Sequence, residues 1–471
     1  MSDSGGTCAP ALSSRATALA TGAVLTLQLM LIVDAQVMTV SLPAMQRDLG
    51  FSPSGLSWVP NAYAIAFGGL ILLGGRIGDA CGRARVFLFG TVLFIVASIA
   101  GGLSGTPEVL IGARVVQGFA AALAAPGVIA LVVTMAKDHA TRTKVLASFT
   151  VVSAIVASTG LVLGGVLTEW LSWRWGLLIN VPIGVAVVVI VGYLVHDGAP
   201  NVAGRFDVAG AVLATLGSVA LVWGFVNAGE NGWGSPGTAA FFGAAFVSIV
   251  LLVVSERHAR SPLIASHLLK SARVGALVTM GLTGGAQFSM LFLLAQYQQR
   301  VLDFTPLLAG IGFLPLTAIM FVVARWVPGW VQRFGSLPLL QIGGALLVTS
   351  FLGFSSLGTA STYWHVVLPL IMQALGCALI YTTGTLLAMD GVPDADAGSA
   401  SGMLQMSQQI GGALGVAVVV SVYATGAVAG GFVPGLREAF LAGGALAASA
   451  AIIAALTVGR RPRRSDAQAA P

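Results

Sequence analysis

The chain is a succession of about fourteen apolar stretches, each near twenty residues or longer, joined by short polar connections. Stretches of that length span a bilayer, and each must close its backbone hydrogen bonds internally, as a helix. They fall near 16–42, 56–75, 86–104, 107–135, 145–168, 173–195, 207–227, 237–255, 274–298, 306–327, 336–357, 364–388, 402–427 and 437–458. Of the 471 residues, 56% are hydrophobic and 8% charged, against about 25% charged in a soluble protein. The expected fold is therefore an all-α polytopic membrane protein, and the net charge of +6 calls for no nucleic acid. Cys8, Cys81 and Cys377 lack CxxC spacing and suggest neither a disulfide framework nor a metal site. The polar N-terminus precedes a span too long for a signal-peptide core, so no cleavage is expected.

An even number of spans puts both termini on one side, and the basic residues choose which. Arg15, Arg76, Arg83, Arg85, Lys137, Arg142, Lys144, Arg205, Arg257, Arg260, Lys270, Arg273, Arg325, Arg333, Arg460, Arg461, Arg463 and Arg464 flank one side. Arg47, Arg174, Arg300 and Arg437 flank the other. That bias of roughly 18 to 4 predicts cytoplasmic termini in a multi-pass cell-membrane protein.

One stretch places a carboxylate where hydrocarbon is expected. Asp34 is the only charge in 16–42, and an acid at that depth is normally paired, protonated or turned to a wet interior. On a helical wheel Leu27, Met30, Leu31, Asp34, Met38 and Ser41 share one face, with Gln36 nearly opposite. The fourth stretch supplies Arg114 at about the same depth, roughly 10–12 Å from the outer ends of the two helices. Arg114, Gln117, Gly118, Ala121 and Ala125 form a face whose small residues permit close helix approach. Two readings follow: a structural ion pair, or a proton site with Asp34 as carrier and Arg114 as partner. The second is the expectation.

The loop Gly75 to Arg85 reads GRIGDACGRAR, with glycines for a tight turn and charges suited to helix ends. Its Gly75, Asp79, Gly82, Arg83 and Arg85 resemble the loop signature of the major facilitator superfamily, although Ala80 and Ala84 stand where basic residues are usual. Arg114-x-x-Gln117-Gly118 is similar to that superfamily's fourth-helix motif. In the fifth stretch Ser153, Ala157, Gly160 and Gly164 make a small-residue face. Gly160 to Gly165 resembles the antiporter motif, with Leu161 in place of its proline. The string 173–184, WRWGLLINVPIG, resembles the drug–proton antiporter family with fourteen helices. So does the pattern from Asp34 to Pro43, in which Thr39 and Ser41 replace the usual asparagine and alanine.

The resemblance implies a major facilitator fold of two six-helix bundles plus two inserted helices. The corresponding expectation is a tail at 1–15, a bundle at 16–206, the inserted pair at 207–255, a linker at 256–273, a second bundle at 274–458 and a basic tail at 459–471. It also implies conformational control by the Gly75–Arg85 loop and helix packing through Gly160, Gly164 and Gly165. The second half echoes the first: Gln332-Arg333-Phe334-Gly335 occupies the place of Asp79 to Gly82 without its acid, and Gly411 to Gly415 repeats the small-residue face. A substrate cavity between the halves would draw on Met30, Met38, Gln117, Gln287, Gln296, Tyr297, Gln373, Tyr381 and Gln405.

No zinc, nucleophile-elbow or phosphate-loop motif is present, so neither an enzyme nor an ATP-driven pump is expected. The implied function is proton-driven efflux of lipophilic neutral or monocationic compounds by alternating access. It requires no cofactor, only the bilayer, protons and small substrates as partners, and a monomer suffices. Export of a lipid or a self-made antibiotic is the alternative within transport, and an importer is a lesser one. A non-transporting sensor is the alternative outside it.

Overall fold

The apolar stretches are helices. The structure, a computed structural model, describes residues 14–52, 54–135, 159–195, 208–258, 271–392 and 397–458, with Val152 and Val156 besides. Among these residues thirteen helices are long and apolar enough to cross a membrane. The described part of the fifth expected span, 159–170, is helical as well, which makes fourteen. Residues 1–13 of the expected N-terminal tail, the C-terminal tail and most of the 256–273 linker lie outside the described residues, as do Ser153 and Ala157, whereas Ser14 and Arg15 of that tail belong to the first helix.

The first half comprises α1 (Ser14–Leu49), α2 (Trp58–Cys81), α3 (Arg83–Gly102), α4 (Pro107–Met135), α5 (159–170), α6 (Trp175–Leu178) and α7 (Asn180–Leu194). Helices α8 (Val208–Asn231) and α9 (Pro236–His258) follow. The second half comprises α10 (Ser271–Arg300), α11 (Pro306–Gly312), α12 (Leu314–Ala324), α13 (Val327–Phe334), α14 (Ser336–Ser355), α15 (Tyr363–Met389), α16 (Ala397–Gly430) and α17 (Phe432–Val458).

Hydropathy places the spans but not their interruptions. The expected span 173–195 is divided at Ile179, and 306–327 is divided at Phe313 and stops at Ala324. Pro182 and Pro315 fall in the first turns of α7 and α12, where a missing N–H breaks no intrahelical bond. Helix α1, expected to end near 42, continues past Pro43 to Leu49. At its end Asp48 accepts a hydrogen bond from Trp173 Nε1 at 2.9 Å and pairs with Arg174, whose Nη2 also reaches the Ser104 carbonyl at 3.1 Å. The string WRWG thus ties three helix ends together.

Alternation of the spans puts the two described chain ends on one side, the near side. In the first half α4 packs on α1, α2 and α3, and α7 on α1 and α3. In the second, α10 packs on α15, α16 and α17, α14 on α15 and α17, and α12 on α15. The expected Gly411–Gly415 face allows the α10–α16 approach: a Cβ on Gly285 would lie 2.8 Å from the Gly411 carbonyl. The halves meet where α2 lies against α16 and α1 against α10 and α11. Helix α8 touches both α2 and α16, and so covers that seam, while α9 packs on α8. The far end of α8 is held by Ser52 and Ser54, which donate to the Glu230 carboxylate.

On the far side the halves are sealed. Val37, Met38, Val40 and Met45 of α1 share one core with Leu291, Leu294 and Tyr297 of α10 and Ala309 of α11. Gln299 Nε2 donates to the Val40 carbonyl at 2.9 Å, Arg300 donates to Gln46, and the Leu307 N–H donates to Glu169 Oε2 at 3.0 Å. A second core, holding Leu27, Phe67, Phe87, Ala121 and Val187, belongs to the first half and among the described residues takes only Met406 from the other.

Candidate functional site: a buried carboxylate held by five helices

Asp34 and Arg114 meet in the interior of the first half, 0% and 1% exposed, with Arg114 Nη1 2.5 Å from Asp34 Oδ2. An acid so deep in an apolar interior needs donors, and the other carboxylate oxygen has two. Asn180 Nδ2 donates to Oδ1 at 2.8 Å and Gln117 Nε2 at 3.3 Å. Among the described residues three donors thus face the carboxylate, which is the arrangement an ionised acid requires.

The partners are themselves held. Gln117 lies one turn beyond Arg114 on α4, and its Oε1 accepts from Arg114 Nη1 at 2.9 Å. Its amide also donates to Ser98 Oγ of α3 at 2.8 Å. Arg114 Nε donates to the Val59 carbonyl of α2 at 3.2 Å, and its guanidinium lies 4.5 Å from the centre of the Tyr63 ring. Helices α1, α2, α3, α4 and α7 therefore converge on one charge pair. Truncating either charge would leave the other buried alone, at a cost of about 3–5 kcal/mol.

Equal depth in the sequence anticipates the Asp34–Arg114 pair but not Asn180, Ser98, Tyr63 or the Val59 carbonyl. Asn180 did carry a signal. It is an amide between apolar residues, just before Pro182 in the string whose resemblance is most specific, and a buried amide must find partners. Its Oδ1 has none among the described residues.

The small-residue face of α5 does what close packing requires. A Cβ on Gly160 would lie 3.1 Å from Gln36 Cβ, one on Gly164 2.7 Å from Val37 Cα, and one on Gly165 2.6 Å from Leu307 Cα of the other half. Helix α5 thus covers the side of α1 that carries Val33, Gln36 and Val37, and reaches across to α11. The expected loop Gly75–Arg85 is helical except at Gly82, because α2 runs on to Cys81 and α3 begins at Arg83. Across that turn Arg83 Nε pairs with Asp79 Oδ1 at 2.8 Å, in solvent. Gly75 lies against Pro126, Arg85 is exposed, and Gly82 turns the chain with φ +105°.

The nine residues proposed for the cavity separate by burial. Met30, Met38, Gln117, Gln296, Tyr297 and Gln373 are buried in helix packing. Tyr297 donates to the Gly358 carbonyl at 2.8 Å, and Gln296 to its own helix at the Phe292 carbonyl. Gln287, Tyr381 and Gln405 keep part of their surface exposed. Gln287 Nε2 lies 3.8 Å from Met320 Sδ.

Comparison with known proteins agrees with this architecture. The family model described as Major Facilitator Superfamily matches residues 24–416. The cephamycin export protein CmcT of Amycolatopsis lactamdurans is 38% identical over 409 residues, covering 85% of this chain and 84% of that protein. The puromycin resistance protein pur8 of Streptomyces alboniger is 36% identical, covering 86% and 81%. The tetracenomycin C resistance and export protein of Streptomyces glaucescens is 31% identical, covering 83% and 73%. Among solved structures, a peptide transporter POT in complex with sulfate superposes with a TM-score of 0.70 at 16% identity, covering 94% of each chain, and shares the fold. The chain belongs to the Major Facilitator Superfamily, among transporters of the antibiotic export and resistance type.

Proposed function

We propose that the protein is a proton-driven exporter of lipophilic, neutral or monocationic compounds of the antibiotic type, working as a monomer in the cell membrane without a cofactor. The observation that carries this reading is the Asp34–Arg114 pair, since Asp34 is the one buried acid among the described residues. Relatives that export or confer resistance to cephamycin, puromycin and tetracenomycin C support export and a substrate of the antibiotic type. The basic residues flanking the near side support cytoplasmic termini, so that the sealed far side faces outward.

All groups on the carboxylate come from the first half, so rocking one half against the other as rigid bodies leaves the pair intact. What such rocking changes is access. A proton arriving from the outward-open state neutralises Asp34 and strands the Arg114 guanidinium without its counter-charge. In a dry interior that is unfavourable by several kcal/mol, and it is relieved by water or by a change in packing around α4. Substrate reaching the same wall disfavours the proton, which gives the mutual exclusion antiport needs. Asp34→Asn mimics the protonated form and is expected to bind substrate without moving it uphill. In liposomes with an imposed pH gradient and an internal pH dye, Asp34→Asn should neither concentrate substrate nor release protons. Accumulation against a gradient with normal proton counterflow would show the pair to be structural.

A further inference from the structure

The short helix α13, which falls in the connection expected between the spans 306–327 and 336–357, carries a feature that the proposed transport step does not use. Its Val327 and Val331 face inward, against Ile319, Val323, Leu339, Ala378 and Leu379. Going round the helix at 100° per residue, the next positions are Phe334, Trp330 and Trp326, 55%, 36% and 56% exposed. Beyond them come Arg333, Gly329 and Arg325. The two tryptophan rings lie 6.5 Å apart, and the Arg333 guanidinium stands 5.2 Å from the Phe334 ring.

The first-half counterpart differs in one respect. There Arg83 is neutralised by Asp79, whereas the sequence Gln332-Arg333-Phe334-Gly335 has no acid. The backbone is otherwise alike, with Gly335 at φ +83° leading into α14 as Gly82 leads into α3. Among the described residues neither Arg325 nor Arg333 has a carboxylate partner.

We propose that α13 is a binding site for anionic phospholipid headgroups in the cytoplasmic leaflet, the leaflet following from the orientation proposed above. Core, aromatic shoulder and cations follow one another around this helix in the order in which hydrocarbon, interface and phosphate follow one another across a leaflet. The guanidinium fork matches phosphate oxygens, and two such groups beside exposed indoles select a charged headgroup above an acyl boundary. A site for a soluble anion would have no use for three exposed aromatic rings.

The test uses the full-length protein in detergent, mixed with equal amounts of phosphatidylglycerol and phosphatidylcholine, with retained lipids counted by native mass spectrometry. The wild type should retain phosphatidylglycerol preferentially. Arg325→Gln with Arg333→Gln should lower that preference roughly tenfold, a few-fold for each cation near the surface. Arg325→Lys with Arg333→Lys should keep most of it. Replacing Arg460, Arg461, Arg463 and Arg464 by Gln should leave the α13-dependent step in place. An unchanged preference in the double Gln variant overturns the proposal. So does its loss in the tail variant alone, or displacement of phosphatidylglycerol by inorganic phosphate at equal concentration. None of these readings depends on transport, so they stand apart from the fate of Asp34.

Discussion

At the residue scale, the decisive group is Asn180, which reaches Asp34 from 146 positions away in the chain. An amide donor on a carboxylate stabilises the ionised acid, and a hydrogen bond to a charged group is worth about 1.5–3 kcal/mol. Asn180→Leu keeps a side chain of similar bulk and removes that donor. Proton-coupled export by this variant is expected to fall about tenfold, because the carboxylate loses one of its three donors. Asn180→Gln should recover part of the activity. An unchanged rate of proton-coupled export in Asn180→Leu, measured in proteoliposomes with a clamped gradient, would reduce Asn180 to a packing residue. Asp34 and Arg114 were legible in the sequence because each is a lone charge in an apolar run, and depth can be counted along a helix. Asn180 carried only the weaker signal of an amide in an apolar run, because an uncharged amide costs too little in a hydropathy profile to stand out.

At the element scale, the crossing of α5 and α11 joins the halves on the far side. A Cβ on Gly310 would lie 2.5 Å from the Leu161 carbonyl, and one on Gly165 2.6 Å from the Pro306 carbonyl. Backbone on both sides leaves no flexible side chain to yield. Gly310→Val is therefore expected to hold the far side open, since overpacking a close contact costs about 1–3 kcal/mol. Single cysteines at Glu169 and Leu307, in a background without the native cysteines, should cross-link efficiently with glycine at 310 and at least fivefold less with valine. Equal cross-linking would mean that the seal rests on α1 and α10 instead. The glycines of α5 were visible as a spaced pattern, and the structure adds that Gly165 faces the other half whereas Gly160 and Gly164 face α1. The break at Phe313 was not visible, since a proline inside an apolar run is equally compatible with a continuous membrane helix, and α13 occupies what was expected to be the connection between two spans.

At the scale of the whole molecule, one buried acid balanced by one buried arginine limits the charge a substrate can bring. The described interior otherwise buries only Arg273, whose donors are taken up by the carbonyls of Ala388 and Asp390 at the end of α15. A dication would need more counter-charge than Asp34 can give while it also exchanges a proton. In matched scaffolds differing by one fixed ammonium, the monocation should be exported at least tenfold faster. A preference for the dication in competition assays would overturn this limit. The membrane class, the number and approximate places of the spans, the depth of the charge pair and the family signatures were determined by the sequence alone. All of these are local: hydropathy, spacing and depth are sums along one helix. Only the tertiary structure decided that five helices of one half enclose Asp34, that six of the nine polar or methionine residues expected in the cavity are buried in packing, and that α8 covers the seam between α2 and α16. Inside a bilayer apolar faces are nearly equivalent, so which face meets which neighbour is set by the few small residues that let backbones touch and by polar groups that must find one another.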